Sequence, residues 1–201
     1  IASCLVGSEM CIRDREKEDF TYFWDRGTVS HNGYYMRADI RPAAEFPAAR
    51  RRSDYSFDPR CWDYLEKIRL LCEEKGISLI LMKAPALYPA WYDQWDQQIA
   101  RYAADYGLTY INCMKDPEAI GIDFSHDTYD GGIHMNVYGA EKVARFLGPE
   151  LLKVPGVSDR RQEEALAVRW EEKCRVYDEK KAEQEEEFSR LGYLEQFYQG
   201  Q

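Results

Sequence analysis

The sequence lacks an excess of positive charge. Its 201 residues include 36 acidic side chains against 27 lysines and arginines, which gives a formal net charge of -9 at pH 7 and a pI near 5.0. Proteins that bind nucleic acid neutralise backbone phosphates with clustered lysines and arginines. We therefore expect no nucleic-acid partner, and we interpret the one basic run, RRR at residues 50–52, as a solvated loop.

The sequence also lacks a long hydrophobic run. No apolar stretch approaches the length of about 20 residues that a helix needs to span a bilayer, and no charged segment followed by an apolar one opens the chain. We expect no membrane segment in this chain, which as given should be soluble. Its length and its 45% hydrophobic content predict one domain with a substantial core.

The six cysteines lack the spacing of a metal site. They form no CxxC pair, and no HxxxH pair accompanies them. We therefore predict no zinc or other metal site and no cofactor, and we interpret the cysteines as ordinary thiols.

The first 15 residues, IASCLVGSEMCIRDR, lack the periodicity of either a strand or a helix. The string CLVGSEMCIRD within them resembles a translated sequencing adapter. We interpret residues 1–15 as non-native, and we expect the native protein to begin upstream, with this chain as its C-terminal part.

Apolar residues further along alternate between helical spacing and short continuous runs. Alternation of this kind predicts an α/β fold, with parallel strands joined by helical crossovers and functional groups at the carboxyl ends of the strands. The strand ISLILM should be buried on both faces, since it is a continuous apolar run. The predicted elements are helices at residues 58–75, 91–106 and 137–153 and strands at residues 77–82 and 108–112.

Two parts flank this region. Residues 16–57 form an aromatic, irregular segment, and residues 156–201 form a charged helical tail. In the tail, Ser158 should cap a long helix that ends near residue 190. The first half of this helix should dock through an apolar face, whereas acidic residues 178–187 should project into solvent or bind a protein partner. The apolar face consists of Leu166, Trp170, Cys174 and Tyr177.

The stretch YDGGIHMN combines an acid, a histidine and an asparagine just before a helical pattern. Asp130 can fold back onto His134 across two glycines. A carboxylate bonded to one imidazole nitrogen fixes the tautomer and leaves the other nitrogen to accept a proton from a nucleophile. In the alternative interpretation, Asp130 only bonds backbone amides and Asn136 only caps the helix.

The segment DTYDGGIHMNVYGAEKVARFLGPEL resembles the last block of the SGNH (GDSL) hydrolase family, and GISLILMKAPALYPAWYDQWDQQIARYAADYGLTYIN resembles the preceding strand, helix and strand of bacterial SGNH-like proteins. The resemblance implies that residues 58–155 are the C-terminal part of a three-layer α/β/α, flavodoxin-like domain. It also implies that His134 is the general base of a Ser-His-Asp triad and that Asp130 orients it. Many such proteins are membrane-tethered, so the parent protein is expected outside the cytoplasm.

Two departures from the family pattern leave parts of the site open. The family usually separates its Asp and His by two residues, whereas three lie between Asp130 and His134, so Asp127 and Asp123 remain alternative partners. The sequence contains neither a Gly-Asp-Ser nucleophile turn nor a Gly-x-Asn-Asp block. Lys83, at the end of the strand, occupies the place of that block and is a candidate for binding an anionic or carbonyl oxygen. The other candidates for substrate binding are Trp91 and Asn136.

These features predict the C-terminal fragment of an esterase or O-acyl transferase that acts on O-acylated substrates such as glycans. Because the nucleophile is absent, we expect the chain by itself to be inactive on esters. The alternative is a non-catalytic module that binds carbohydrate or a protein partner. Its candidate aromatic residues are Tyr22, Trp24, Tyr34, Tyr35, Trp91 and Trp95.

Overall fold

The structure is a computed structural model that describes residues 34–46, 48–115 and 117–197. The interpretation of residues 1–15 as non-native lies outside the described residues, as do Tyr22 and Trp24 and the first part of the aromatic segment. In the described part of the chain, no helix has both the length and the apolar character needed to cross a membrane.

The described residues form a mixed α/β structure with five α-helices and one parallel sheet of two strands. This confirms the predicted α/β class. In the sheet, Ile80 pairs with Thr109 and Lys83 pairs with Asn112. The elements are α1 (Pro59–Glu74), β1 (Ile80–Lys83), α2 (Asp93–Asp105), β2 (Thr109–Asn112), α3 (Pro117–Ile120), α4 (Val137–Leu151), α5 (Glu164–Leu191) and a short 3-10 helix (Glu195–Phe197).

The chain divides into two compact units. Of the described residues, one unit contains residues 34, 35 and 53–79, and therefore α1. Helix α1 begins as predicted at an Asp-Pro pair, where the Asp58 side chain accepts a hydrogen bond from the backbone N–H of Arg60 at 2.8 Å. The other unit contains the sheet and the remaining helices.

Both strands begin later than the apolar runs predict. Gly76 and Gly107 have positive φ and follow the ends of α1 and α2. In each case the next residue bonds backwards, with Ile77 N–H donating to Cys72 O and Leu108 N–H donating to Ala103 O, both at 2.8 Å. These bonds close the helix ends in a Schellman arrangement, so the two amides are not available to a sheet.

The prediction that the first strand is buried on both faces is wrong. Met82, in the middle of β1, keeps 46% of its surface exposed, and no residue of β1 is fully buried. Within the described residues the sheet has only two strands. Because helices cover the faces of a parallel sheet, the exposure of Met82 shows that one face of β1 is incompletely covered by the described residues.

Helix α5 begins at Glu164, six residues after the predicted cap at Ser158. The prediction that the acidic half projects into solvent is wrong, although Tyr177 of the predicted docking face does contact α4, where its hydroxyl donates to Glu141 at 3.0 Å. Trp170 in the first half is 57% exposed, whereas Gln184 in the acidic half is buried. The side-chain amide of Gln184 accepts from Ala38 N–H at 2.9 Å and donates to Met36 O at 3.2 Å. Polar side chains therefore make the contact, which an apolar pattern could not reveal.

The described residues of the aromatic segment contain no helix, and part of them packs along the loop that holds the candidate site. Three backbone N–H groups donate to that loop: Arg41 to Thr128 O, Ala43 to Phe124 O and Ala44 to Gly131 O, at 2.8 to 2.9 Å. These bonds connect segments that lie more than 80 residues apart in the chain. They position the loop that precedes α4.

Candidate active site

Asp130 and His134 lie together on a tight turn before α4. Oδ2 of Asp130 is 2.5 Å from Nδ1 of His134, and Oδ1 accepts hydrogen bonds from the backbone N–H groups of His134 at 2.7 Å and Ile133 at 3.2 Å. The carboxylate is thus fixed by the backbone of its own turn while it contacts the imidazole. The contacts expected under both interpretations of the sequence motif are therefore present together, because bonding to the backbone orients the acid towards the histidine.

The imidazole remains accessible. The side chain of His134 is 62% exposed, and that of Asp130 is 26% exposed. With Nδ1–H donating to the carboxylate, Nε2 carries a lone pair that can accept a proton. Nε2 makes no hydrogen bond to the part of the chain that the structure describes. An oriented histidine with an open Nε2 is the geometry of a general base.

The alternative acids make other contacts. Asp127 is fully buried and bonds Lys142 at 2.6 Å and His126 Nδ1 at 3.1 Å. Asp123 accepts from the hydroxyl of Ser125 at 2.6 Å and from its backbone N–H at 2.9 Å. Of the three candidate carboxylates, the structure brings Asp130 to His134.

Asn136 anchors the end of the loop and is fully buried. Its side-chain oxygen accepts from the backbone N–H groups of Tyr138 and Gly139, which caps α4. Its amide nitrogen is shared among the carbonyl oxygens of three residues, Asp39 at 3.2 Å, His126 at 2.7 Å and Thr128 at 3.3 Å. A side chain enclosed in this way has a structural role, which does not match the proposal from the sequence that it contacts a substrate.

The contacts of Asp127 form a second charged cluster, which the sequence pattern did not reveal. Burial by itself raises the pKa of the Asp127 carboxyl, but hydrogen bonds from Asp123 N–H, Lys142 and His126 outweigh this effect and lower the pKa below its usual value. The spacing of Asp127 and Lys142 in the sequence does not predict their contact, because one residue lies in a loop and the other in a helix. The cluster attaches the loop to α4.

We expect Lys142→Met to destabilise the protein in a pH-dependent way. A carboxyl whose pKa is lowered by folding adds stability that is complete above its unfolded pKa of about 3.9 and is lost as the pH falls through the folded pKa. Loss of Lys142 removes one cause of the lowered pKa. The difference in free energy of unfolding between the variant and the wild type should therefore be larger at pH 7 than at a pH well below about 3.9, where Asp127 is protonated in the folded wild type as well. Denaturant titrations at both pH values measure it.

Lys153→Met is the matched control for this prediction. Lys153 also pairs with a carboxylate, that of Glu150 at 2.7 Å, but its side chain is 69% exposed. Exposed ion pairs contribute little to stability, so this variant should remain close to the wild type at both pH values. An equal loss of stability for Lys142→Met at neutral and acid pH would contradict the role given to the pair.

Lys83 and Trp91 lie together at the carboxyl end of β1. The Lys83 ammonium donates to the backbone oxygen of Ala84 at 2.8 Å and lies 5.8 Å from the centre of the Trp91 ring. Burial lowers the pKa of Lys83, and the neighbouring Cys113 opposes this shift. No contact between described residues joins either side chain to His134 directly. The loop after β1 does reach the candidate site, because Leu87 N–H donates to Gly132 O at 2.8 Å.

No protein-family model, curated protein or solved structure matches this chain. The functional assignment therefore depends on the geometry of the site. No group of three or more His, Cys, Asp and Glu side chains that could hold a metal ion occurs among the residues described. The geometry that bears on function is the exposed imidazole of His134, which the Asp130 carboxylate orients.

Proposed function

We propose that this chain contributes the acid–base half of a Ser-His-Asp hydrolase site. The observation that carries the proposal is the exposed imidazole of His134, whose Nδ1 is bonded to an Asp130 carboxylate that the backbone holds in place. The resemblance of residues 58–155 to SGNH hydrolases supports the same roles. The full domain would then be a three-layer α/β/α structure of the flavodoxin type, to which the parallel pair β1 and β2 would contribute two strands.

The reaction would be hydrolysis or transfer of an O-acyl group, for example from an acylated glycan, in a bacterial protein outside the cytoplasm. A serine hydroxyl from a segment outside this sequence would attack the ester carbonyl, and His134 Nε2 would accept the hydroxyl proton. His134 would then return this proton to the leaving alcohol, while Asp130 would stabilise the imidazolium. Lys83 would bind an anionic or carbonyl oxygen of the substrate, since it lies at the carboxyl end of β1, where parallel sheets place functional groups. Water or a second alcohol would release the acyl group.

We expect the 201-residue chain by itself to show no turnover of acetyl esters. The protein translated from the uninterrupted reading frame upstream of Glu16 should contain the nucleophile and hydrolyse them. In that protein, His134→Ala and Asp130→Asn should each lower kcat by a factor on the order of 1,000 or more. Initial rates with an activated acetyl ester measure the effect.

The matched control is His126→Ala. His126 is also exposed in part and also contacts an aspartate, Asp127, so the control removes a comparable imidazole from the same loop. It should leave kcat within about tenfold of the wild type, because His126 takes no part in the proposed proton transfer. Ester turnover that persists in His134→Ala would overturn the proposal. Glycan binding without turnover, unchanged in His134→Ala, would instead support the non-catalytic module.

A further inference from the structure

The imidazole of His134 lies nearly parallel to the ring of Tyr129. The ring centres are 5.8 Å apart and the planes differ by 9°. The bond between Nδ1 and Asp130 restrains one point of the imidazole, about which the ring can still turn. A flat neighbour restrains the plane as well. The two contacts together determine the direction in which Nε2 points.

Tyr129 is in turn contacted by Arg37. The guanidinium carbon of Arg37 lies 4.5 Å from the centre of the Tyr129 ring and 4.2 Å from the centre of the Phe197 ring. Both distances lie within the range of cation–π contacts. A single guanidinium therefore connects the ring beside His134 to the ring of Phe197.

Asp39 fixes the guanidinium in this position. Nε and Nη2 of Arg37 donate to both oxygens of the Asp39 carboxylate, at 2.7 and 2.5 Å. The two side chains are only 16% and 12% exposed, and a two-point contact of this kind allows little rotation. The carboxylate also offsets the charge of Arg37, so that Tyr129 is supported without a net positive charge beside the imidazole.

Phe197 belongs to the 3-10 helix that follows α5. This segment is held in place because Leu194 is buried and the backbone N–H of Glu195 donates to the side chain of Glu187 at 2.9 Å. The end of the charged tail thus contacts the support of the candidate site. No feature of the tail in the sequence indicates this contact.

We propose that Tyr129 is a positioning residue that sets the direction of His134 Nε2, and that Phe197 holds Tyr129 in place through Arg37. The direction of Nε2 affects catalysis only if His134 transfers a proton. This part of the inference therefore rests on the proposed function. The contact itself can be tested without turnover.

NMR of the 201-residue chain tests the contact. The ring signals of His134 are assigned by their loss in His134→Gln. In the wild type, NOEs should connect the His134 and Tyr129 rings. Tyr129→Phe should keep these NOEs and the His134 ring shifts, because it keeps the flat ring. Tyr129→Leu should change the His134 ring shifts, and Phe197→Leu should weaken the NOEs between His134 and Tyr129.

Tyr106→Leu is the matched control. Tyr106 is also a partly exposed tyrosine, but its ring contacts Tyr102 at the end of α2. This variant should leave the His134 signals unchanged. Unchanged signals in Tyr129→Leu would overturn the proposal, and so would a change of equal size in Tyr106→Leu.

A kinetic measurement on the ester-hydrolysing protein tests the consequence. Tyr129→Leu should lower kcat about tenfold with little change in KM, because a misdirected base slows chemistry more than it weakens binding, and Tyr129→Phe should restore kcat. An unchanged kcat in Tyr129→Leu would overturn the positioning role. A wild-type protein without any ester turnover would count against the proposed function, whereas the NMR result would still decide the ring contact.

Discussion

Replacing Gly139 by alanine is expected to destabilise the protein by about 3 kcal/mol or more, because the added methyl group would meet backbone in a packed region. A Cβ at this position would lie 2.6 Å from the carbonyl oxygen of Asp127 and 3.0 Å from its Cβ. Such distances force a shift, and Asp127 cannot move freely since its side chain bonds Lys142 and His126. Denaturant titration of the variant measures the loss.

Gly148→Ala in the same helix provides the control for this prediction. A Cβ at Gly148 would meet no heavy atom within 4 Å. The higher helix propensity of alanine is opposed there by Pro149, whose ring restricts the residue before it, so the variant should stay within about 1 kcal/mol of the wild type. Gly139→Ala should therefore lose clearly more stability than Gly148→Ala. An equal loss at both glycines would show that the effect at Gly139 comes from something other than the close approach.

Asn136→Ala is expected to destabilise the protein by about 3 kcal/mol, because one change leaves several buried backbone groups without a partner. The loss includes the cap of α4 and the donor shared by the carbonyls of Asp39, His126 and Thr128. An exposed cap such as that of α1, supplied by Asp58, should cost only about 1 kcal/mol when it is replaced by alanine. Denaturant titration or thermal unfolding measures the difference.

Asn136→Asp separates the two roles of this side chain. Aspartate keeps an oxygen that can cap α4 but has no amide to donate to the three carbonyls. It also places a charge in a fully buried position. We expect it to be at least as destabilising as Asn136→Ala. If Asn136→Asp instead retained wild-type stability, capping alone would explain Asn136, and the bridge to the carbonyls would be unimportant.

The sequence pattern predicted α1, α2 and α4 to within about two residues because their signals are local, whereas it did not predict α3 and placed the start of α5 too early. The Asp-Pro pair at residues 58 and 59 marks the start of α1, and glycines follow the ends of α1 and α2. The strand starts were missed for a related reason. The closing bonds at those glycines take up the amides of Ile77 and Leu108, which an apolar run alone does not show.

The candidate site was also predictable only where its contacts are local. Asp130 and His134 are four residues apart, and their spacing already suggested the turn. The support of the loop comes from partners far along the chain: Thr128 bonds Arg41 across 87 residues, and Gln184 bonds Met36 across 148. Propensity and periodicity carry no information at such distances. For the same reason, the docking half of α5 and the contact of Phe197 with Arg37 appeared only in the structure.

The turn that joins Asp130 to His134 closes on itself, since the acid takes two of its three hydrogen bonds from backbone within the same five residues. The contact between Asp130 and His134 and the position of the two residues in the fold are therefore separate properties of the molecule. Residues 130–134 specify the contact. The anchors of the loop, which are its hydrogen bonds to residues far along the chain, specify the position. Substitutions in those anchors should therefore move Asp130 and His134 together, while the hydrogen bonds within the turn stay intact.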